Sequence, residues 1–214
     1  MSKHALYWQF NINPKFERDM AMIDLYAWKS ANGRRPIIIL EETGLPYNLI
    51  PIDPHGGKNQ EPQYLKISPS GKVPCLVDPD GPNGIRIQIM ESAAILEYIA
   101  EKTGQFLGTR DTRWQVKQWL YYLATNVSVS FSNLNHAEDL EGQCRLLLKK
   151  MDRHLENNQY FAIEYSIADM MVIGRFGAFG FKFIELDEYP HLTRWVKLMM
   201  QRPAVKKSME ISIG

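Results

Sequence analysis

The chain is poor in cysteine and has almost no net charge, and each of these absences excludes a class of protein. Its 214 residues include 2 cysteines, Cys75 and Cys144, which stand far apart in the sequence. This spacing excludes a disulfide framework and a Cys-x-x-Cys redox pair, and it fits a reducing compartment. We therefore expect the protein in the cytoplasm.

The charges, the apolar residues and the histidines give no support to nucleic-acid-binding, membrane or metal-binding proteins. Lys and Arg number 25 and Asp and Glu 24, for a net charge of +1, so electrostatics give no reason to expect nucleic acid or a membrane surface as partner. No apolar run approaches the length of a membrane span. The five histidines are scattered without ligand spacing, and we predict no metal site.

Residues 1–21 form a polar and aromatic N-terminal extension. They lack a continuous apolar core and a small-residue cleavage site, so they do not resemble a secretory signal. The extension is either a loosely packed tail or an arm that packs on a second copy or covers the site. Its aromatic residues keep the second alternative open, because disordered tails are poor in them.

The first half of the chain alternates between strand and helix patterns. The order strand, helix, strand at the beginning of this half predicts that its first two strands are parallel and are joined by a right-handed crossover. Pro36 is expected in the first turn of a helix that Gly44 ends. The predicted strands are 23–27, 47–52, 73–77 and 85–89, and the predicted helices are 36–42, a weak one at 60–67 and 92–103.

The second half shows only helical spacing. From Asp111 onward apolar residues recur at intervals of three and four, for example from Val116 to Val127 and from Leu192 to Met200. Ser166 and Asp169 have the spacing of a capping box at a helix start. We predict an α/β N-terminal domain of order βαβαββα and an all-helical C-terminal domain. The expected bounds are 1–21 for the extension, 22–104 and 111–214 for the domains.

Two segments of the first half are candidates for parts of a ligand site. Val73-Pro74 opens an apolar strand, where proline is tolerated only at the edge or the first residue, and it is a candidate cis bond. Glu91-Ser92 opens a helix with a carboxylate, a hydroxyl and free backbone N–H groups. Such a place suits a ligand that carries both ammonium and carboxylate groups. The alternative for Glu91 and Ser92 is an ordinary helix start.

The turn after the first predicted strand is the candidate reaction centre. Ser30 and Asn32 can each donate a hydrogen bond to a thiolate, next to a helix N-terminus that lowers the pKa of a thiol. The turn carries no cysteine, so the thiolate must belong to a ligand. The alternative is that Ser30 and Asn32 only form the turn and cap the helix.

These motifs resemble the glutathione transferase superfamily, and most closely its nu class and the related bacterial and fungal disulfide-bond oxidoreductases. The resemblance covers roughly residues 22 to 210 and implies a thioredoxin-like domain, a homodimer and glutathione as co-substrate, with no metal. Ser30 and Asn32 are then catalytic and contact the glutathione sulfur. The implied glutathione-binding residues are Lys58, Asn59, Lys72, Val73, Pro74, Glu91 and Ser92.

The resemblance implies a glutathione transferase, whose thiolate attacks a small electrophile. A glutathione-dependent disulfide reductase and a non-catalytic regulatory protein on the same scaffold are the alternatives. Some aromatic residues of the first C-terminal helix, which holds Trp114, Trp119, Tyr121 and Tyr122, are expected to face the second-substrate cleft. One departure is the stretch 126–136, which is shorter and richer in serine than in nu-type relatives.

Overall fold

A computed structural model describes residues 22–133, 139–179 and 186–214. The N-terminal extension predicted at 1–21 lies outside these residues, and so does the end of the serine-rich stretch 126–136. In the described ranges no helix is both long enough and apolar enough to span a bilayer.

The first half forms one mixed sheet of four strands in the order β2-β1-β3-β4. β1 pairs with β2 in parallel, whereas β3 runs antiparallel to both β1 and β4. Leu25, at the centre of β1, lies opposite Leu49 and Leu76 and is fully buried. The strands are β1 (Ile23–Ala27), β2 (Tyr47–Pro51), β3 (Cys75–Asp78) and β4 (Ile87–Met90).

Three α-helices accompany the sheet, and the order βαβαββα is confirmed. Gly44 and Gly104 follow two of these helices in the left-handed conformation, with φ of 68° and 69°, which glycine adopts without strain. The helices are α1 (Ala31–Thr43), α2 (Pro62–Leu65) and α3 (Ser92–Thr103), with short 3₁₀ turns at Lys58–Gln60 and Pro82–Gly84.

The expected start of α1 was wrong. Ser30 caps the helix, which begins at Ala31, so Pro36 lies in the second turn and not in the first. Because proline has no N–H, the main-chain carbonyl of Asn32 lacks its usual partner four residues later. The apolar run Ile37–Leu40 is fully buried and stabilises the helix despite this loss.

The second half is helical, as predicted. A π turn, Leu123–Val127, joins the first two helices without a break. The helices are α4 (Arg113–Tyr122), α5 (Ser128–Asn133), α6 (Asp139–Leu155), α7 (Ile167–Phe179), α8 (Pro190–Met200) and α9 (Pro203–Glu210), with a 3₁₀ turn at Leu186–Glu188.

Asp169 completes the capping box predicted before α7. Its Oδ2 accepts from the backbone N–H of Ser166 at 3.1 Å, and the Ser166 hydroxyl accepts from Ala168 N–H at 3.3 Å. Its Oδ1 accepts from Phe161 N–H at 3.2 Å and from Trp195 Nε1 at 2.8 Å. One buried carboxylate therefore joins the start of α7 to the preceding loop and to α8.

Helix α1 lies between the two halves of the chain. It packs against α3 on the sheet side and against α7 and α9 of the helical half. This packing places its N-terminus, with Ser30 and Asn32, at the junction of the two halves.

Candidate active site

The turn after β1 is built around the cap of α1. Ser30 Oγ accepts a hydrogen bond from Gly33 N–H at 3.1 Å, and the Ser30 carbonyl accepts from Arg34 N–H at 3.1 Å. A Cβ at Gly33 would collide with the carbonyl oxygen of Trp28, so the turn requires glycine there. Ser30 therefore does cap the helix, as the structural alternative held, while its own O–H remains able to donate.

A cleft of about 330 Å³ opens beside this turn, at the junction of the two halves. It collects six of the nine predicted site residues from three separate segments. These are Asn32, Lys72, Val73, Pro74, Glu91 and Ser92. The cleft is also lined by Arg35, Ser70, Ala93, Ala124, Ser128, Val129 and Met171.

The loop before β3 is held by hydrogen bonds from the segment before it. The Val73–Pro74 peptide bond is cis, as predicted. The carbonyl of Lys72 accepts from Tyr64 OH at 2.8 Å and from Ser68 Oγ at 2.9 Å. Asn59 Nδ2 donates to the carbonyl of Gly71 at 2.6 Å. Asn59 therefore supports the loop and does not line the cleft.

Lys58 also lies outside the cleft. Its ammonium forms an exposed ion pair with Glu61 at 2.7 Å, and it borders a second cavity together with Trp28 and Tyr64. The structure therefore does not bring Lys58 to the other predicted residues, and a contact between Lys58 and a ligand stays a prediction.

Glu91 has an unusual backbone at the edge of the cleft. Its φ of 73° and ψ of 122° lie outside the regions that side-chain-bearing residues favour, at a typical cost of about 1–3 kcal/mol. Ser92 begins α3 directly after it and is buried. Strained residues of this kind cluster at ligand sites, and here the strained residue lines the cleft.

Arg35 is the site residue that the sequence analysis missed. Only 1% of its surface is exposed, and its guanidinium reaches four groups around the cleft. Nη1 donates to Asn32 Oδ1 and to Ser92 Oγ (3.2 Å), Nη2 donates to Ser128 Oγ (2.6 Å), and Nε donates to the Met171 carbonyl (2.7 Å). One signal was available, because arginine near a helix N-terminus opposes the helix dipole.

Comparison with known proteins identifies the family. Residues 29–102 match the profile described as the N-terminal domain of glutathione S-transferase. The chain is 33% identical over 204 residues to the disulfide-bond oxidoreductase YfcG of Escherichia coli, covering 88% of this chain and 94% of that one. The chain belongs to the glutathione transferase family.

Solved glutathione transferases share the fold of the whole described chain. One from Pseudomonas putida, with one glutathione disulfide bound per subunit, is 29% identical with a TM-score of 0.83 and covers 89% of this chain and 92% of that one. One from Pseudomonas fluorescens, with two glutathione bound, is 30% identical with a TM-score of 0.83 and covers 90% of this chain and 94% of that one.

The two thiols of this chain lie away from the cleft. Cys75 and Cys144 are fully buried, and neither lines the cleft. Burial raises the pKa of Cys75 to about 11 and raises the pKa of Cys144 as well, which keeps both in the unreactive thiol form. Any sulfur that reacts in the cleft must therefore arrive with a ligand.

None of the four aromatic residues of α4 lines the described cleft, contrary to expectation. Trp119 is half-buried and packs against the core, next to His154, with 4.2 Å between ring centroids, and next to Tyr122. Trp114 and Tyr121 are 71% and 50% exposed on the outer surface. Helical spacing located the helix, but it did not determine which neighbour each face meets.

Proposed function

We propose that the chain binds glutathione in this cleft and uses the glutathione thiolate as a nucleophile. Asn32 and Ser30 donate to the sulfur, and the N-terminus of α1 adds its positive dipole end. The Lys72–Pro74 loop pairs with the peptide backbone of glutathione. Glu91 and Ser92 hold the γ-glutamyl end, which carries the ammonium and carboxylate groups.

One observation carries this proposal. Three segments that are remote in the sequence converge on a single cleft, and no cysteine lines it. A carboxylate, a buried hydroxyl and a helix N-terminus suit the charged end of glutathione. The absence of a protein thiol there means that the nucleophilic sulfur comes from the ligand.

The proposed reaction is transfer of glutathione to an electrophilic carbon. The thiolate forms a new carbon–sulfur bond, and the leaving group departs with its electron pair. Donors fixed around the sulfur favour the thiolate over the thiol at neutral pH, which raises the fraction of reactive nucleophile. The same donors release the sulfur once it is no longer anionic.

Disulfide reduction is the second candidate. The names of the relatives favour it, because YfcG is a disulfide-bond oxidoreductase and the Pseudomonas putida structure holds glutathione disulfide. Here the thiolate attacks one sulfur of a disulfide and releases a thiolate. A second glutathione thiolate then attacks the glutathione sulfur of the mixed disulfide, which releases the other half of the substrate as a thiolate and forms glutathione disulfide.

Calorimetric titration with reduced and then with oxidised glutathione tests the proposal. We expect binding of the reduced form by the wild type, and the purified protein is then assayed with an activated aryl halide and with a small organic disulfide. Asn32→Ala should lower turnover in both assays, whereas Asn48→Ala, an exposed asparagine on β2, should change neither. Absence of heat with either ligand at two temperatures would contradict the proposal and favour the regulatory alternative.

We also propose a cytoplasmic homodimer with domains divided at residues 104–110. Helices α3 and α4 are joined by a Tyr121–Glu97 hydrogen bond of 2.6 Å, and large apolar side chains, including Trp114, are exposed beside it. Such a surface favours association with a second copy. Trp114→Glu should shift the sedimenting species to the monomer, whereas Ile163→Glu, equally apolar and exposed before α7, should not.

A further inference from the structure

Arg35 is a buried cation whose four described hydrogen-bond acceptors are all neutral. They are an amide oxygen, two hydroxyls and a main-chain carbonyl. No ion pair joins Arg35 to a carboxylate in the ranges that the structure describes. Buried charges are ordinarily paired with an opposite charge, because their desolvation is costly. The protein therefore holds a positive charge at the cleft wall without an internal counter-ion among these residues.

The electrostatic surroundings of Arg35 favour an anion. Burial, and secondarily the positive charge of Arg175 on α7, lower the pKa of Arg35 to about 9. The other charged residues that line the cleft are Lys72 and Glu91. A negative charge placed in the cleft would stabilise the guanidinium and would itself be stabilised by it.

The guanidinium also connects the two candidate ends of the ligand site. Nη1 reaches both Asn32, at the proposed sulfur site, and Ser92, at the proposed γ-glutamyl site. Arg35 fixes the Asn32 amide by its Oδ1, and the two Nδ2 N–H groups on the other side of the amide are the donors that a thiolate can use. Nη2 and Nε attach the same group to Ser128 and Met171 of the helical half.

We propose that Arg35 is a positioning residue for the thiolate reaction. It holds the Asn32 amide with its donors available to the sulfur, and its charge compensates the thiolate that forms in the cleft. This inference rests on the proposed use of glutathione. In this proposal the ionised form of the sulfur is favoured by Arg35, which lies outside the turn that carries Ser30 and Asn32.

The pKa of the bound glutathione thiol tests this role. An opposite charge nearby lowers a pKa by about 1–3 units. In Arg35→Gln the thiol pKa should therefore rise by about one unit or more, and turnover near pH 7 should fall about tenfold but recover as the pH is raised. Ultraviolet absorbance of the thiolate across a pH series gives the first quantity, and the pH–rate profile gives the second.

Two further variants separate charge from geometry and from folding. Arg35→Lys keeps the charge but loses the planar fork, so the thiol pKa should stay low while turnover falls. Arg34→Gln is the matched control, since Arg34 neighbours Arg35 on α1 but donates to the carbonyls of Ser208 and Ile211, outside the cleft. Arg34→Gln should leave the thiol pKa unchanged.

S-methylglutathione, which has no ionisable thiol, provides a second readout. Arg35→Gln should weaken binding of glutathione more than binding of S-methylglutathione, because only the first presents an anionic sulfur. A folded Arg35→Gln protein with the wild-type thiol pKa would overturn the inference. If that variant does not fold, a thiol pKa in Arg35→Lys equal to that of free glutathione would overturn it instead. Failure of the wild type to bind either ligand would refute the proposed function itself.

Discussion

The guanidinium of Arg202 forms two hydrogen bonds with the carboxylate of Glu42, of 2.6 Å and 2.9 Å. Glu42 lies near the end of α1 and Arg202 directly before α9, so this pair joins the two halves of the chain. Tyr165 adds a hydrogen bond of 3.0 Å to the same carboxylate, and its ring lies 3.5 Å from the Arg202 guanidinium carbon. The junction is therefore fixed at the end of α1 opposite the cleft.

Replacing Glu42 by Gln should destabilise the protein by about 2 kcal/mol, because two charge-assisted hydrogen bonds are weakened at a mostly buried site. Urea unfolding measures this loss, and a double-mutant cycle with Arg202→Met isolates the pair. Glu141→Gln, which breaks an exposed ion pair with Arg145 on α6, is the control and should have little effect. Equal losses in both variants would contradict the assignment.

Asp169 should make the stability depend on pH. Burial raises its pKa from 3.8 to about 6, although four hydrogen bonds act in the opposite direction. The folded state therefore binds this proton more tightly than the unfolded state, and stability should fall by about 3 kcal/mol as the pH rises from about 4 to about 6. Unfolding free energies across this range should show the slope.

The slope should be absent in Asp169→Asn, which cannot titrate. Asp152→Asn is the matched control, because Asp152 also accepts a backbone N–H, that of Leu192 at 2.8 Å, near the start of α8. That variant should keep the slope of the wild type. A wild type and an Asp169→Asn protein with parallel pH profiles would show that Asp169 does not cause the effect.

Ser30→Ala and Asn32→Ala should both lower turnover, and they should destabilise the protein for different reasons. Ser30→Ala removes the cap of α1 and should cost about 1 kcal/mol, whereas Asn32→Ala removes an acceptor from the buried Arg35 guanidinium and should cost about 1–3 kcal/mol. Both should lower turnover more than glutathione affinity, because both lose a donor to the thiolate. Unfolding and steady-state kinetics on the same preparations measure the two effects. Weakened binding with normal turnover at saturation would argue against the thiolate role.

Glu91→Gly should stabilise the protein while it weakens glutathione binding. Glycine adopts the φ of 73° without the strain that Glu91 bears, which we expect to gain about 1 kcal/mol. The lost carboxylate should reduce affinity for the γ-glutamyl ammonium. Glu91→Gln keeps the strained backbone and separates these effects, since it should weaken binding with unchanged stability. A less stable Glu91→Gly protein would contradict this account.

Gly174→Ala should be destabilising, because a Cβ there would lie 2.7 Å from Cγ of Arg35 and 3.3 Å from the Ala31 carbonyl. Overpacking of this kind costs about 1–3 kcal/mol, and here it should also disturb the cleft. Gly142→Ala on α6 meets nothing within 4 Å and should stabilise its helix by up to about 1 kcal/mol. Thermal unfolding of the two variants should shift in opposite directions.

Local chemistry in the sequence was sufficient to predict most of the fold. Short apolar segments located β1 to β3, and alternation located β4, all within two residues. Gly44 and Gly104 marked the helix ends because each has a left-handed backbone. The Val73–Pro74 bond was predictable because a proline there opens a strand. The start of α1 differs from the prediction because the cap at Ser30 and the buried run Ile37–Leu40 stabilise a helix that tolerates Pro36 in its second turn.

The rest of the site depends on contacts between distant residues. Arg35 meets Ser92 and Ser128, which are 57 and 93 residues away, and periodicity carries no information about such pairs. Arginine side chains are usually exposed, so the sequence gives no reason to expect a buried one at this position. The expectation that some aromatic residues of α4 face the cleft failed for a related reason, since spacing defines a helix face but not the element that the face packs against.

The π turn at Leu123–Val127 gives the cleft an unusual tolerance of a change in chain length. Such a turn holds one residue more than the α-helix around it. Deleting that residue would turn the segment into ordinary α-helix and leave the residues after it on nearly the same face, so that Ser128 would still meet Arg35. In a helix without such a turn, the same deletion would rotate everything after it by about 100°. In an alignment of relatives, a one-residue gap at this turn is therefore compatible with an unchanged cleft wall.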